Sequence, residues 1–281
     1  MAVYPRILHN GRFIGPDEAV IPVFTSALTG ALGVYETILA RRGHIIALSE
    51  HLERMEESAR GAQIVLPTDR EELAGWCRQV VAANAPDGLI RVVAVDLGGP
   101  TADVFVYEMS YTAPSPAEYE EGVAVAVYHG ERAMPQVKSL NTLVPGLARK
   151  AAQAVGAHDA LLVDRFGCVT EGSNCNVFVV MEGTLLAPPV GAILEGTVMA
   201  RVIRLAEELG IPFRRRPLLL ADLPLWEEAF LTSTRRGVLP IRQVGEHVLG
   251  RPGPITRRLL AAYRAWEERT MDDGRWTIDD G

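Results

Sequence analysis

Short apolar runs and two helical periodicities organise the first part of the chain. Tyr4-Leu8 and Arg12-Ile14 are strand-like and flank Asn10-Gly11, a dipeptide that suits the positive φ angles of a two-residue hairpin turn. Leu52, Met55 and Ala59 recur at helical spacing, with Ser49 placed to cap that helix. Asp69 with Glu72 three residues later marks the start of a second helix through Leu73, Trp76 and Val80. Strands are expected over Leu89-Val95 and Asp103-Met109. At Thr112-Ala113-Pro114-Ser115-Pro116 the periodic pattern stops, because prolines restrict the backbone and remove hydrogen-bond donors, and a boundary is expected there.

Beyond that break, Gly122-Tyr128 reads as a strand and Val144-Val155 as a helix. Ala160-Val163 and Asn176-Val180 read as strands flanking a turn at Asp164-Gly167. Gly196 precedes a helix carrying Val198, Val202, Leu205 and Leu209, which should end at Gly210 before Ile211-Pro212. A last helix is expected from about Ile255 to Arg269. The pattern predicts a mixed α/β fold of two lobes: a smaller N-terminal α/β domain over 1–113, a linker over 114–120 and a larger C-terminal domain over 121–270. Residues 271–281 are acidic and poor in apolar side chains, and are expected to form a loose tail.

Composition narrows the chemistry. The 281 residues are 48% hydrophobic and carry a formal charge of -7, which gives no cationic footprint for nucleic acid. No run approaches a membrane span, and the first residues do not read as a signal peptide. Cys77, Cys168 and Cys175 are odd in number and make no CxxC pair, which suits a reducing cytoplasm. The histidines at 9, 44, 51, 129, 158 and 247 lack metal-ligand spacing, so no metal is expected. A phosphate-binding GxxxxGK loop and a GxSxG nucleophile motif are both absent.

Lysine is scarce: only Lys138 and Lys150 occur. Lys138 follows a strand-like run and a polar turn, where partial burial favours a neutral amine able to attack an aldehyde. Three further features accompany it in order: Asp164-x-x-Gly167-x-Val169-x-Glu171-Gly172, Asn176-Val177-Phe178, and Leu194-Glu195-Gly196-Thr197-Val198. With Lys138-Ser139-Leu140-Asn141, this series resembles the class IV aminotransferases. These are fold type IV pyridoxal-phosphate enzymes that include branched-chain aminotransferases, D-amino-acid aminotransferases and aminodeoxychorismate lyases. The resemblance runs from about Asn10 to Arg258 and is strongest in the second half.

The resemblance implies a two-lobed fold with pyridoxal 5'-phosphate in the interdomain cleft, in the domain over 121–270. It makes Lys138 the imine anchor and the base that moves a proton. It sets Glu171 against the pyridine nitrogen, where a carboxylate keeps the ring protonated as an electron sink. Arg54 would grip the phosphate in a bidentate fork, and the turn at Gly196, Thr197 and Val198 would offer backbone N–H groups from a helix start. Thr234 would add a hydroxyl, and Asn176 belongs to the same cofactor-binding set. Tyr35, in Gly33-Val34-Tyr35-Glu36-Thr37, would line the substrate pocket.

This chain also departs from the family pattern. Thr25-Ser26 and Ala31-Leu32 stand where the family usually has an Asp-Arg pair and a Gly-Asp pair, Thr142 replaces a tyrosine and Val198 a threonine. Arg91 resembles the arginine of the branched-chain enzymes, whereas the Arg-x-His trap of the D-amino-acid enzymes is missing from Leu97-Ala102. Arg235 and Arg236 could together form a cationic patch for a substrate carboxylate. The expected function is transfer of an amino group between an apolar, branched-chain-like L-amino acid and a 2-oxo acid, by a cytoplasmic homodimer. Aminodeoxychorismate lysis is the first alternative and D-amino-acid transamination the second.

Overall fold

The computed structural model describes residues 2–272, and these form two compact units. One takes in the chain through Thr112, the short segment Val137–Asn141 and the residues from Glu267 onward; the other takes in 113–136 and 142–266. Lys138 is therefore counted with the first unit, although its sequence position had suggested the larger C-terminal domain. The physical reason is β-type pairing, since Val34 bridges Ser139 antiparallel and Tyr35 N–H donates to the Lys138 carbonyl at 2.9 Å.

The first unit holds an antiparallel sheet of β1 (Ile7–His9), β2 (Arg12–Ile14), β3 (Gly33–Arg41), β4 (His44–Ile45), β5 (Gly88–Val95) and β6 (Asp103–Met109), in the order β2-β1-β6-β5-β3-β4. Asn10 and Gly11 take φ of 46° and 79°, as the hairpin reading required. Two long helices cover the sheet, α2 (Leu48–Gly61) and α3 (Arg70–Ala83), while α1 (Ser26–Thr29) is a single turn. Val34, Ile38 and Ala40 alternate onto the covered face of β3 and pack with Leu52 and Met55 of α2. Full burial of each larger side chain contributes about 1.5–3 kcal/mol. Asp69 caps α3 by accepting from Glu72 N–H at 2.9 Å. Ser49 does not cap α2: it lies within the helix, which begins after Ala47 at a left-handed φ of 53°.

The second unit is built on a mixed ten-stranded sheet among the described residues. Its strands are β7 (Val123–His129), β8 (Asp159–Val163), β9 (Cys168–Gly172), β10 (Asn176–Met181), β11 (Thr184–Ala187), β12 (Phe213–Arg215), β13 (Leu218–Leu219), β14 (Glu228–Ser233), β15 (Gly237–Val244) and β16 (His247–Val248). The helices are α4 (Pro116–Glu121), α5 (Leu143–Ala154), α6 (Thr197–Glu208) and α7 (Pro254–Asp272), the last of which counts with this unit through Trp266 and with the first unit from Glu267. Among the departures from the pattern-based reading, which did not foresee β11 to β16, two have a clear local cause. Most of the expected linker, from 116 to 120, is helical within α4, because Pro116 at the first helical position needs no donor and Ser115 with Glu118 closes a capping box. The turn at Asp164–Gly167 leads into β9, a strand that periodicity had passed over because Thr170, Glu171 and Gly172 interrupt its apolar run.

The expected loose tail lies mainly outside the described residues. Its first residue, Met271, is instead buried at the end of α7, with its sulfur 3.5 Å from Arg42 Nη2. None of the described helices is long and apolar enough to cross a membrane.

Candidate active site

In the first unit the lysine segment is held by backbone. Besides the Tyr35 bond, Leu140 N–H donates to the Gly33 carbonyl at 2.9 Å and Lys138 N–H to Ser58 Oγ at 3.1 Å. Gly33 has to be small here: a Cβ would run into Leu140 Cδ1 and stand 2.8 Å from the Ala94 carbonyl oxygen. Lys138 is half-buried, and its Nζ lies 4.9 Å from the Tyr35 ring centroid. The Arg91 guanidinium stacks on the same ring at 4.1 Å and donates from Nη1 to Thr37 Oγ1 at 2.7 Å. Tyr35, Arg91 and Lys138 thus gather around one half-buried aromatic ring.

Arg54 lies on the covered side of the same sheet. Its Nε and Nη2 donate to Oε1 and Oε2 of Glu36, both at 2.8 Å, and His51 Nδ1 donates to Oε2 at 2.8 Å. Glu36 is fully buried; burial alone would raise its pKa, but the Arg54 charge and His51 overcome this and hold it far below the usual carboxylate range. Burial depresses the pKa of His51, and the nearby charges of Arg54 and Lys138 add to that effect against the pull of Glu36. The bidentate fork expected for a phosphate is therefore turned, at its Nε–Nη2 edge, to a carboxylate. Glu36 was not singled out by sequence, although it stands in the Gly-Val-Tyr-Glu-Thr segment; an acid at a core-facing position of a strand was the available signal.

The second unit gathers the remaining residues. Glu171 is buried on β9 with Arg132 Nη1 at 3.4 Å, a partner the sequence reading missed. Asn176, at the start of β10, donates from Nδ2 to the Leu194 carbonyl at 2.7 Å and so fixes the turn into α6. Gly196 is the N-cap of α6; a Cβ there would collide with Asn176 Oδ1, and no side chain caps this helix. Val198 is buried in the apolar cluster with Phe178 and Phe230, which leaves its backbone, not its side chain, to face an anion.

Thr234 and Arg235 occupy the turn between β14 and β15 and are half-buried. Arg236, expected to join Arg235 in a carboxylate patch, is instead buried: Nη2 meets Asp159 Oδ2 at 2.8 Å and Nη1 donates to Asn174 Oδ1 at 3.0 Å. Asp159 Oδ1 also accepts from the Ala160 and Ser173 N–H groups at 2.8 and 3.1 Å. This network ties down the loop between Glu171 and Asn176. Arg235 has no carboxylate partner among the described residues, and burial, together with the charges of Arg236 and Arg149, lowers its pKa.

The sequence model described as amino-transferase class IV matches residues 33–244. A putative branched-chain-amino-acid aminotransferase of Methanocaldococcus jannaschii is 32% identical, with 92% of this chain and 95% of the relative covered. A D-alanine aminotransferase of Bacillus licheniformis is 28% identical, with 92% and 96% covered. Among solved structures, the branched-chain amino acid aminotransferase of Thermobaculum terrenum in its PLP-bound holo form superposes with a TM-score of 0.83 at 27% identity, covering 95% of this chain and 94% of that one.

Proposed function

From the premise that the chain belongs to the class IV aminotransferase family and is a pyridoxal-phosphate-dependent transaminase, we propose that it moves the amino group of a branched-chain or similar apolar L-amino acid to a 2-oxo acid, with Lys138 holding the cofactor covalently. The residues fit that cofactor. The second unit offers an anion end, where α6 starts at a glycine beside Asn176, and a buried carboxylate, Glu171, for the far side of the ring. The first unit offers an amine beside an aromatic ring.

When bound, pyridoxal phosphate supplies an electron sink that acidifies the α-proton of an amino acid. Lys138 Nζ would accept that proton from the substrate α-carbon and pass it on to the cofactor, a shuttle that needs the amine held in place by its backbone pairing to Val34 and Tyr35. Glu171 would be the counter-charge for a protonated ring nitrogen, and Arg132 Nη1, 3.4 Å from Glu171, would steady it. Arg54, fixed by Glu36, would bind the phosphate, and so would the backbone at Gly196, Thr197 and Val198 and the Thr234 hydroxyl. Arg235 takes the substrate carboxylate and Arg236 serves as its support, a division that rests on the Asp159 pairing of Arg236. We take the enzyme to be a cytoplasmic homodimer, which size-exclusion chromatography with light scattering tests by particle mass.

The observation that carries the reading is the docking of the Lys138 segment on β3, which brings Nζ to the Tyr35 ring. Borohydride reduction of the holoenzyme followed by peptide mapping should leave the cofactor mass on the Lys138 peptide. Lys150 is the internal control, and label found on Lys150 alone would sink the assignment. A half-reaction with L-leucine should convert the cofactor to its amine form faster than one with D-alanine. The D-alanine aminotransferase relative favours the second reading, transamination of a D-amino acid, and faster conversion by D-alanine would select it.

A further inference from the structure

The second unit contains a groove of about 660 Å³, lined by Pro114, Pro116, Tyr119, Glu120, Arg251, Pro252, Arg257, Leu260 and Arg264. Three features distinguish it from ordinary surface. Arg251, Arg257 and Arg264 are exposed and have no carboxylate partner among the described residues. From Arg251 to Trp266 the chain carries four arginines and no acid, in a protein with a formal charge of -7. Two of the groove's arginines, Arg251 and Arg257, stand at the N-terminal end of α7, whose first turn has no acidic residue. Cations there oppose the helix dipole, which favours negative charge at that end.

The helix end is not itself the site. Glu228 closes it by accepting from the Ile255 and Thr256 N–H groups at 3.1 and 2.7 Å. The groove must draw its charge from the guanidinium groups, and Glu120 is the single carboxylate in the lining. Arg257 and Arg264 are seven residues apart on one helix, hence about 10 Å along its axis. Leu260 lies between them, and the Tyr119 ring is stacked under Arg264 at 4.5 Å. Cations separated by an apolar and aromatic floor suit a flat organic anion with charge at both ends. We propose that this groove is a binding site for an aromatic organic dianion, separate from the transaminase residues and independent of their assignment. It also adjoins the functional turn, since Tyr119 Oη donates to the Arg236 carbonyl at 2.7 Å.

The test is calorimetric titration of the cofactor-loaded enzyme with naphthalene disulfonate, which has neither an amino nor a carbonyl group to react, and in parallel with sulfate. The proposal expects saturable binding of the disulfonate, at least about tenfold weaker binding of sulfate, and at least about tenfold loss in R257E/R264E. Y119L should weaken the disulfonate severalfold while leaving the charge pattern intact. Undiminished binding to R257E/R264E, equal binding of sulfate, or no heat with the wild-type enzyme would each overturn the proposal. So would a fall in particle mass on size exclusion of the charge-reversed variant, because the face would then be an interface between copies.

Discussion

In one unit Arg54 is clamped by Glu36 and His51; in the other Arg236 is clamped by Asp159 and Asn174. Both arginines are buried, and sequence pattern had offered both as anion binders. The first network rests mainly on titratable side chains, with one backbone N–H, that of Thr37, donating to Glu36 Oε2 at 3.2 Å, and it joins α2 to β3 on the sheet that carries the Lys138 segment. The second is mixed, since its acid also accepts two backbone N–H groups and its arginine also donates to a neutral amide. Burying a charge demands compensation, and the two units meet that demand in different proportions: one chiefly by ionisable side chains with a single backbone amide, the other by a charge pair with two backbone amides and a side-chain amide. A motif can therefore identify a functional arginine without revealing which edge of its guanidinium is already committed.

The largest expected effect tests that contrast. Glu36→Gln leaves Arg54 buried without a counter-ion and should cost about 3–5 kcal/mol in urea unfolding, with a marked fall in cofactor affinity on fluorescence titration. Asp159→Asn should cost less, about 1.5–3 kcal/mol, because Asn174 and a new amide oxygen still accept from Arg236. The reverse order of stabilities would mean that the two networks are not different in kind.

Much of the scaffold was legible because its signals are local. The Asn10-Gly11 hairpin, the Asp69 cap and the strand Asp103–Met109 depend on turn chemistry and short-range pattern, and they appear where the sequence put them. What was not legible depends either on a locally broken pattern or on partners distant in sequence. Strand β9 was missed because its apolar pattern is broken at the residues that carry the site. Arg236 was grouped with Arg235 as a cation for a substrate carboxylate because its partner Asp159 lies 77 residues away, a separation no spacing rule reaches. Lys138 was assigned to the wrong unit for the same reason: its neighbours in space are Gly33 and Val34.

A smaller effect should come from Gly33→Ala. The new Cβ would meet Leu140 Cδ1, which can move, and the Ala94 carbonyl at 2.8 Å, which belongs to the paired strand β5 and cannot move easily. The Lys138 segment should therefore shift outward. We expect kcat to fall roughly tenfold or more with KM changed far less, since a displaced base impairs the proton transfer more than substrate capture. Leu140→Ala added to Gly33→Ala should restore only part of the rate. Full restoration would show that the side chain, not the strand backbone, sets the position of Lys138.

The smallest effect separates the two networks by pH. Burial lowers the pKa of His51, with Arg54 and Lys138 adding to the shift, and burial followed by Arg236 lowers that of His158. A histidine whose folded pKa lies below its unfolded value of about 6.5 binds fewer protons when folded, so stability falls as pH drops below about 6.5. Glu36 and Asp159 are also depressed, but their contribution is lost only at lower pH, below the ordinary carboxylate values. Glu108 works in the opposite direction. Burial raises its pKa to about 7, so its contribution is full below its ordinary value of 4.5 and is lost as pH rises through about 7. The histidine slope is therefore best read in a Glu108→Gln background, from urea midpoints between about pH 5 and about pH 8. His51→Gln should flatten that slope more than His158→Gln, because His51 is almost fully buried while His158 keeps partial contact with water. Equal flattening would place the two histidines in equivalent environments and remove this distinction between the two units.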